Sequence, residues 1–369
     1  PREHRTLLKG VGAINDVVLG DVNGDGHDEM IAACEDAHLR VVDASGKLLL
    51  DLATSGNSPL LSCWFGTIAG RPKVLCGALN GGLYAFDATG KLLWSTRNTH
   101  LWYGQLPSCY SLAVADFSGQ GENQIAIGTH GGVSLYSATG EFLRFTQVYA
   151  HAVKPVQAVR FYDDKQPTLL VNTWGGGPKL VEPAGGRAYD AWFTVWGGSN
   201  VYLQPHQIDG ETYLVYGGVN GTGCGHLLRS WQTGNRTPAQ IFGKDSWYLA
   251  SDGETTAAVV LDVNGDGKPE VISGNETGFL VAYSLSGERL WAKLVGTRPN
   301  QLLAADLNGD GKIEIAMAGE DPGLTLFSER LDLLGTWSPG TPVKRIWLSG
   351  GRLVMLTAAN TLEAVALDR

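Results

Sequence analysis

The side chains best suited to chemistry arrive in a repeated loop. DVNGDGHDE at Asp21 to Glu29 returns as DVNGDGKPE at Asp262 to Glu270 and as DLNGDGKIE at Asp306 to Glu314. Each copy sets oxygen-bearing side chains at positions 1, 3, 5 and 9: Asp21, Asn23, Asp25 and Glu29; Asp262, Asn264, Asp266 and Glu270; Asp306, Asn308, Asp310 and Glu314. The intervening glycines permit a sharp turn, and an all-oxygen set suits a hard cation, so the spacing predicts three structural Ca2+ sites. An EF-hand would need a bidentate Glu at position 12, where Ala32, Ser273 and Met317 stand. A fourth copy, DFSGQGENQ from Asp116, carries Gln120 and Gln124 in place of two carboxylates, and no metal is expected there.

A second group of reactive side chains lies in the segments between the repeats. TRNTHLWYGQLPSCY (96–110), QVYAHAVKP (147–155), WFTVWGGSN (192–200) and GKDSWYLASDGETT (243–256) supply His100, Trp102, Tyr103, Tyr110, Tyr149, His151, Lys154, Trp196, Trp247 and Tyr248. Turns at THGG (129), TWGGG (173), the long GGVNGTGCGH (217), GNETG (274) and GEDPG (319) add His130, Trp174, His226, Glu276 and Glu320. Fourteen residues beyond the first loop carboxylate fall Glu35, Glu276 and Glu320, with His130 in the degenerate copy. Flat aromatic faces with scattered polar groups suit sugar rings, which stack through C–H faces and hydrogen-bond through hydroxyls. If the Glu residues share an opening, a paired-carboxylate glycoside hydrolase is an alternative. No His-x-His or His-Glu-x-x-His spacing supports a transition metal, and no Gly-x-Ser-x-Gly elbow, Walker loop or dinucleotide fingerprint is present.

The elements that must position these residues follow from periodicity. Glycine, 50 of 369 residues, is about twice its usual share and has no collagen period, which reads as many tight turns between short strands. Each cation loop is followed by an apolar run, a turn and a second apolar run, so it joins two strands. The turns DASGK (43), DATGK (87), SATGE (137) and SLSGE (284) mark a recurrent third-to-fourth strand connection. Units begin near 15, 57, 109, 156, 199, 255, 300 and 343, each about the length of a four-stranded blade. The last unit ends after three strands while residues 1–14 hold one strand of no complete unit. The reading is an all-β chain, a single β-propeller domain over 1–369 with eight four-stranded blades, the eighth completed by the N-terminal strand; seven blades is the alternative. In such blades the cation loops lie on one face and the aromatic crossovers on the other.

The three loops resemble the FG-GAP or VCBS class of calcium-loop β-propellers, and DATGKLLW at 87 resembles quinoprotein-type blade turns. In architecture the chain also resembles propeller-fold polysaccharide lyases of the rhamnogalacturonan and ulvan kinds. That resemblance implies β-elimination beside a uronate carboxyl, with His130, Tyr149 and His151 as acid and base and Lys154 and Arg229 as the carboxylate clamp. Trp102, Tyr103, Trp174, Trp196, Trp247, Tyr248, Glu276 and Glu320 would line the substrate. The implied partner is an acidic polysaccharide or oligosaccharide; a non-catalytic carbohydrate-binding or adhesion propeller is the rival.

Net charge is -9, and nine carboxylates stand at the ligand positions of the cation loops, so three bound Ca2+ would leave about -3. The acidity therefore says little about partners, and no nucleic-acid partner is expected. No apolar run approaches the length of a membrane span. Five cysteines are too few and scattered for a disulfide scaffold; Cys63 and Cys76 are equidistant from the turn at Ala69 and Gly70, leaving a bridge or two buried thiols open. The expectation is an extracellular or periplasmic monomer whose chain, beginning PREHRT, shows no signal peptide; Asn220, Asn235 and Asn275 lie in glycosylation triplets.

Overall fold

The computed structural model describes residues 3–100, 103–148, 151–160, 166–173, 179–182, 185–190, 202–218, 221–226, 246–250 and 253–367. Apolar runs and turns alternate through the chain, and the described residues form strands and turns with no helix. The strands make eight four-stranded sheets, the blades of a β-propeller, numbered here in chain order. Their first strands begin at Ile14, Leu60, Ser111, Val153, Tyr202, Thr255, Pro299 and Val343. Second strands such as Glu29–Cys34, Glu270–Asn275 and Glu314–Gly319 are buried at every position, as strands covered on both faces must be. Fourth strands such as Leu48–Ala53 and Arg289–Leu294 are largely exposed and alternate.

Blade 8 takes its fourth strand from Glu3–Leu8, beside Leu362–Ala366, as the sequence predicts. Ion pairs from Glu3 to Arg352 (2.8 Å) and from His4 to Glu363 (2.9 Å) hold that strand.

Two compact units divide the chain: Leu7–Ala191 carries blades 1 to 4, and Trp192–Arg369 with Pro1–Thr6 carries blades 5 to 8. Within the first unit, apolar layers fill the spaces between neighbouring blades, for example Ile31, Leu39, Val74 and Phe86 between blades 1 and 2. Leu75, Leu83, Ile125 and Tyr136 do the same between blades 2 and 3. The second unit repeats this with Ile272, Leu280, Ile315 and Phe327 between blades 6 and 7.

A first strand has a sheet partner on one side only, and its open edge needs hydrogen bonds. The preceding blade supplies them. First strands of blades 1, 6 and 7 carry a register shift after their first residue, which turns out Asn15, Thr256 and Asn300. Asn15 Nδ2 donates to the Leu60 carbonyl (2.7 Å), Asn300 Nδ2 to that of Val343 (2.8 Å), and Thr256 Oγ1 to that of Pro299. The next residue adds a second bond: the Cys63 N–H donates to Asp16, the Val156 N–H to Ser111, and the Ile346 N–H to Gln301, whose Nε2 returns a bond to the Ile346 carbonyl.

A second tie runs between outer strands. Trp94 of blade 2 donates its indole N–H to the Ala138 carbonyl in blade 3 (3.2 Å), and Trp247 of blade 5 donates to that of Leu285 in blade 6 (2.8 Å). Each ring lies against the glycine of the receiving turn, Gly140 or Gly287, where a Cβ would come within 2.6 Å of the indole. Both glycines also have φ of 87°, so glycine is required twice over.

Two expectations change. GTGCGH is not part of a long turn but the third strand of blade 5, pairing Gly218 with Gly221. Its glycines make room for neighbouring rings: a Cβ at Gly223 would meet Tyr216, and one at Gly221 would meet Tyr248 and the Leu249 carbonyl. Trp247 and Tyr248 lie in the fourth strand Trp247–Ala250 rather than in a crossover. Cys63 and Cys76 do face each other across the hairpin, as free buried thiols.

Replacing Gln301 with Ala leaves the Ile346 N–H and carbonyl without their partner. It should lower stability by about 1–3 kcal/mol in urea unfolding; an unchanged midpoint would show that the clamp between blades 7 and 8 carries no load.

Candidate functional site

In each four-stranded antiparallel blade, the first-to-second and third-to-fourth turns share one edge, and the second-to-third turns and crossovers share the other. The cation loops occupy the first edge. Asp21 accepts the N–H groups of Gly24, Asp25 and Gly26, and Asp306 repeats this with Gly309, Asp310 and Gly311. The buried Glu29 accepts the Val22 and Asn23 N–H groups, and Glu270 and Glu314 accept those of Val263 and Leu307. Burial pushes all three Glu side chains above the ordinary carboxylate value, against the pull of these N–H groups. Asp25 and Asp262 are held below theirs, chiefly by the N–H groups of His27 and Gly267.

These oxygens suit a hard cation in chemistry, but one amide stands among them. Asn23 Nδ2 donates to Asp25 (3.0 Å) and Glu29 (2.9 Å), and Asn264 Nδ2 donates to Glu270 (3.0 Å). No three His, Cys, Asp or Glu side chains among the described residues are grouped to hold a metal. Ligation at these loops requires the amide to present Oδ1 instead. The blade 3 loop keeps the same hydrogen bonds with two of the acids replaced by glutamines: Asp116 accepts from Gly119, Gln120 and Gly121, and Gln124 Oε1 accepts the Phe117 N–H.

On the opposite edge, blades 3 and 4 bring together the side chains with acid–base capacity. His130, half-buried in the second-to-third turn of blade 3, receives the Tyr110 hydroxyl at Nε2 (2.5 Å), while its Nδ1 bonds the His151 backbone carbonyl. A carbonyl can only accept, so Nδ1 carries the proton and Nε2 offers its lone pair to Tyr110. Burial holds His130 below the ordinary histidine value, outweighing the carbonyl, and the imidazole is neutral. Lys154 places its ammonium 5.9 Å from the centre of the Tyr110 ring. Elsewhere in the same unit His100 stacks on Phe145 with ring centres 3.5 Å apart, and burial lowers its basicity as well. Tyr103 stands 86% exposed with φ of 47°, a left-handed conformation uncommon for tyrosine.

Of the residues singled out from sequence, His130, His151 and Lys154 converge, His151 through its backbone. Tyr149, Trp102, Trp174, Trp196 and Arg229 lie outside the described residues. Trp247 and Tyr248 are engaged elsewhere: Trp247 packs on Tyr283 (5.1 Å), and Tyr248 stacks with Tyr216 (6.1 Å). Glu35 and Glu276 fill equivalent places, accepting the Ala13 and Glu254 N–H groups, and Glu320 is exposed with its N–H on Thr297.

In the sequence Tyr110 is one aromatic among many, with nothing local to mark it as catalytic. The signal lies in register. It directly precedes Ser111, the counterpart of Asp16 and Gln301, and so holds the position of Asn15 and Asn300. Lys154 holds the same position in blade 4. Two neighbouring blades thus place other chemistry where blades 1 and 7 place a clamping amide.

Comparison with known proteins accounts for parts of the chain. Residues 5–103 match the family described as lambda-carrageenase beta-propeller domain, and residues 262–317 match the FG-GAP-like repeat, which covers the loops of blades 6 and 7. No curated protein matches. BamB from Moraxella catarrhalis is similar in structure over 99% of this chain and 98% of its own, with 14% identity and a TM-score of 0.62. The BBS1N chain from a complex with ARL6DN, soaked with lead, aligns over 100% of this chain and 96% of its own, with 12% identity and a TM-score of 0.58. At these identities the structural likeness is one of fold alone. No helix is long and apolar enough to cross a membrane among the described residues.

The His130 geometry has a spectroscopic consequence. Nitrogen NMR should find its proton on Nδ1, and Tyr110→Phe should shift the Nε2 resonance alone; a proton on Nε2 would contradict the pairing.

Proposed function

We propose that this propeller acts on an acidic polysaccharide by β-elimination at the edge of blades 3 and 4. The observation that carries the reading is the Tyr110–His130 pair, hydrogen-bonded at 2.5 Å with a neutral imidazole oriented by the His151 carbonyl. As Tyr110 takes the proton beside a uronate carboxylate, its own proton passes to His130 Nε2. The electron pair released forms the new C=C bond, and the glycosidic C–O bond on the adjacent carbon breaks. The leaving oxygen recovers a proton from the same pair, which ends as it began. Lys154 pairs with the carboxylate, where negative charge grows in the transition state. Exposed Tyr103 offers a face for a sugar ring.

The carrageenase-type match supports an anionic polysaccharide; a sulfated galactan such as carrageenan has no C–H beside a carboxyl to eliminate, so its cleavage would have to be hydrolytic and would count against the elimination step. Hydrolysis through a Glu pair has less support, since Glu35 and Glu276 are engaged with backbone N–H groups. The three complete loops are proposed Ca2+ sites that brace the opposite blade edges, held by Asp21, Asn23, Asp25 and Glu29 and their counterparts in blades 6 and 7. Such a substrate and such loops favour a location outside the cytoplasm.

Uronate polysaccharides and carrageenan, assayed in parallel for unsaturated product and for new reducing ends, test the reading. Unsaturated ends should form, and Tyr110→Phe and His130→Ala should each lower turnover by about 100-fold or more. Binding of either glycan without turnover, or turnover that survives both substitutions, would sink it. The pair works only with His130 unprotonated, and burial lowers its proton affinity. Activity should therefore hold as pH falls through the ordinary histidine value of 6.5 and decline only below it. Calcium titration of chelator-treated protein should give three sites, two in Asp21→Asn, and none attributable to the Asp116 loop; a fourth site there would contradict the assignment.

A further inference from the structure

The second unit holds a groove that none of the chemistry above uses. It runs along the first strands of blades 5, 6 and 7, has a volume of about 610 Å3, and reaches Arg345 of blade 8. Tyr202, Gln204 and His206, alternate residues of one strand, share its wall with Thr256, Asn300 and Gln301. The whole chain has 37 Asp and Glu against 28 Lys and Arg, yet none of the residues lining this groove is acidic. Its charged lining residue is a cation.

We infer that this groove binds a small sugar bearing one acidic group, with Arg345 pairing with the acid and Gln204 and His206 meeting the hydroxyls. The Arg345 guanidinium lies 4.9 Å from the centre of the Trp347 ring, an arrangement that orients its planar fork for a carboxylate or sulfate. His206 is kept neutral by burial, which pushes it down to about 4, so it adds no second charge; its Nε2 lies 3.5 Å from the Tyr202 hydroxyl, which leaves Nδ1 to meet a ligand. Tyr202 lines the groove with its hydroxyl committed to the Ala258 carbonyl (2.8 Å). The volume matches a mono- or disaccharide, and the polar lining disfavours an apolar guest. The groove shares no residue with the Tyr110–His130 pair, so success or failure here is independent of the elimination chemistry.

Calorimetric titration of the intact chain with galacturonate, galactose 6-sulfate, neutral galactose and inorganic sulfate provides the test. At least one acidic sugar should bind about tenfold more tightly than galactose and more tightly than sulfate alone. Arg345→Gln should weaken that sugar by about tenfold or more, Gln204→Ala should weaken it less, and Tyr110→Phe should leave it unchanged. Arg345 is exposed and Gln204 lies on the groove wall, so neither substitution opens the core. Absence of binding, equal affinity for galactose, sulfate binding as tightly as the sugar, or full affinity in Arg345→Gln would each overturn the assignment.

Discussion

The open edge of a first strand is the constraint on which the architecture turns. A four-stranded sheet satisfies its interior edges by pairing, but its first strand presents unpaired backbone groups that must be covered. Asn15, Thr256 and Asn300 reach one blade forward to do so, and Asp16, Ser111 and Gln301 add a second bond. The apolar layers between blades supply most of the driving force, while these polar clamps set the register in which neighbouring sheets meet. The indoles of Trp94 and Trp247 perform the corresponding task at the outer strands, each over a glycine.

The clamp position is not uniform, since blades 2 and 8 set Leu61 and Lys344 there. Local rules in a folded protein tend to be broken where function requires it. Tyr110 and Lys154 stand at the clamp position of adjacent blades and turn toward one another, with His130 completing the group. The blade 3 cation loop is also the one that has exchanged its carboxylates for Gln120 and Gln124. One blade has therefore changed at both edges, retaining the hydrogen bonds of its loop while giving up charge there and acquiring acid–base groups opposite.

Much of this was legible in the sequence because it depends on local pattern. The loops, the recurrent third-to-fourth turns and the strand that completes blade 8 follow from spacing and alternation. What escaped depends on contacts between blades. The strand Gly221–His226 reads as a turn because its glycines are selected by Tyr216 and Tyr248, which belong to other strands. Trp247 reads as a loop aromatic, although its resemblance in role to Trp94 emerges once both indoles are seen against a neighbouring glycine. Tyr110 was visible only as one of many aromatics, since its meaning lies in sharing a register position with Asn15 and Asn300.

The central claim is that Tyr110 occupies a clamp position surrendered to chemistry, and the Tyr110→Asn variant addresses it most directly. An asparagine there can reach the Val153 carbonyl as Asn15 reaches that of Leu60, and should raise stability by about 1 kcal/mol while turnover on the acidic polysaccharide disappears. A variant less stable than the parent, or one that still cleaves substrate, would contradict the account.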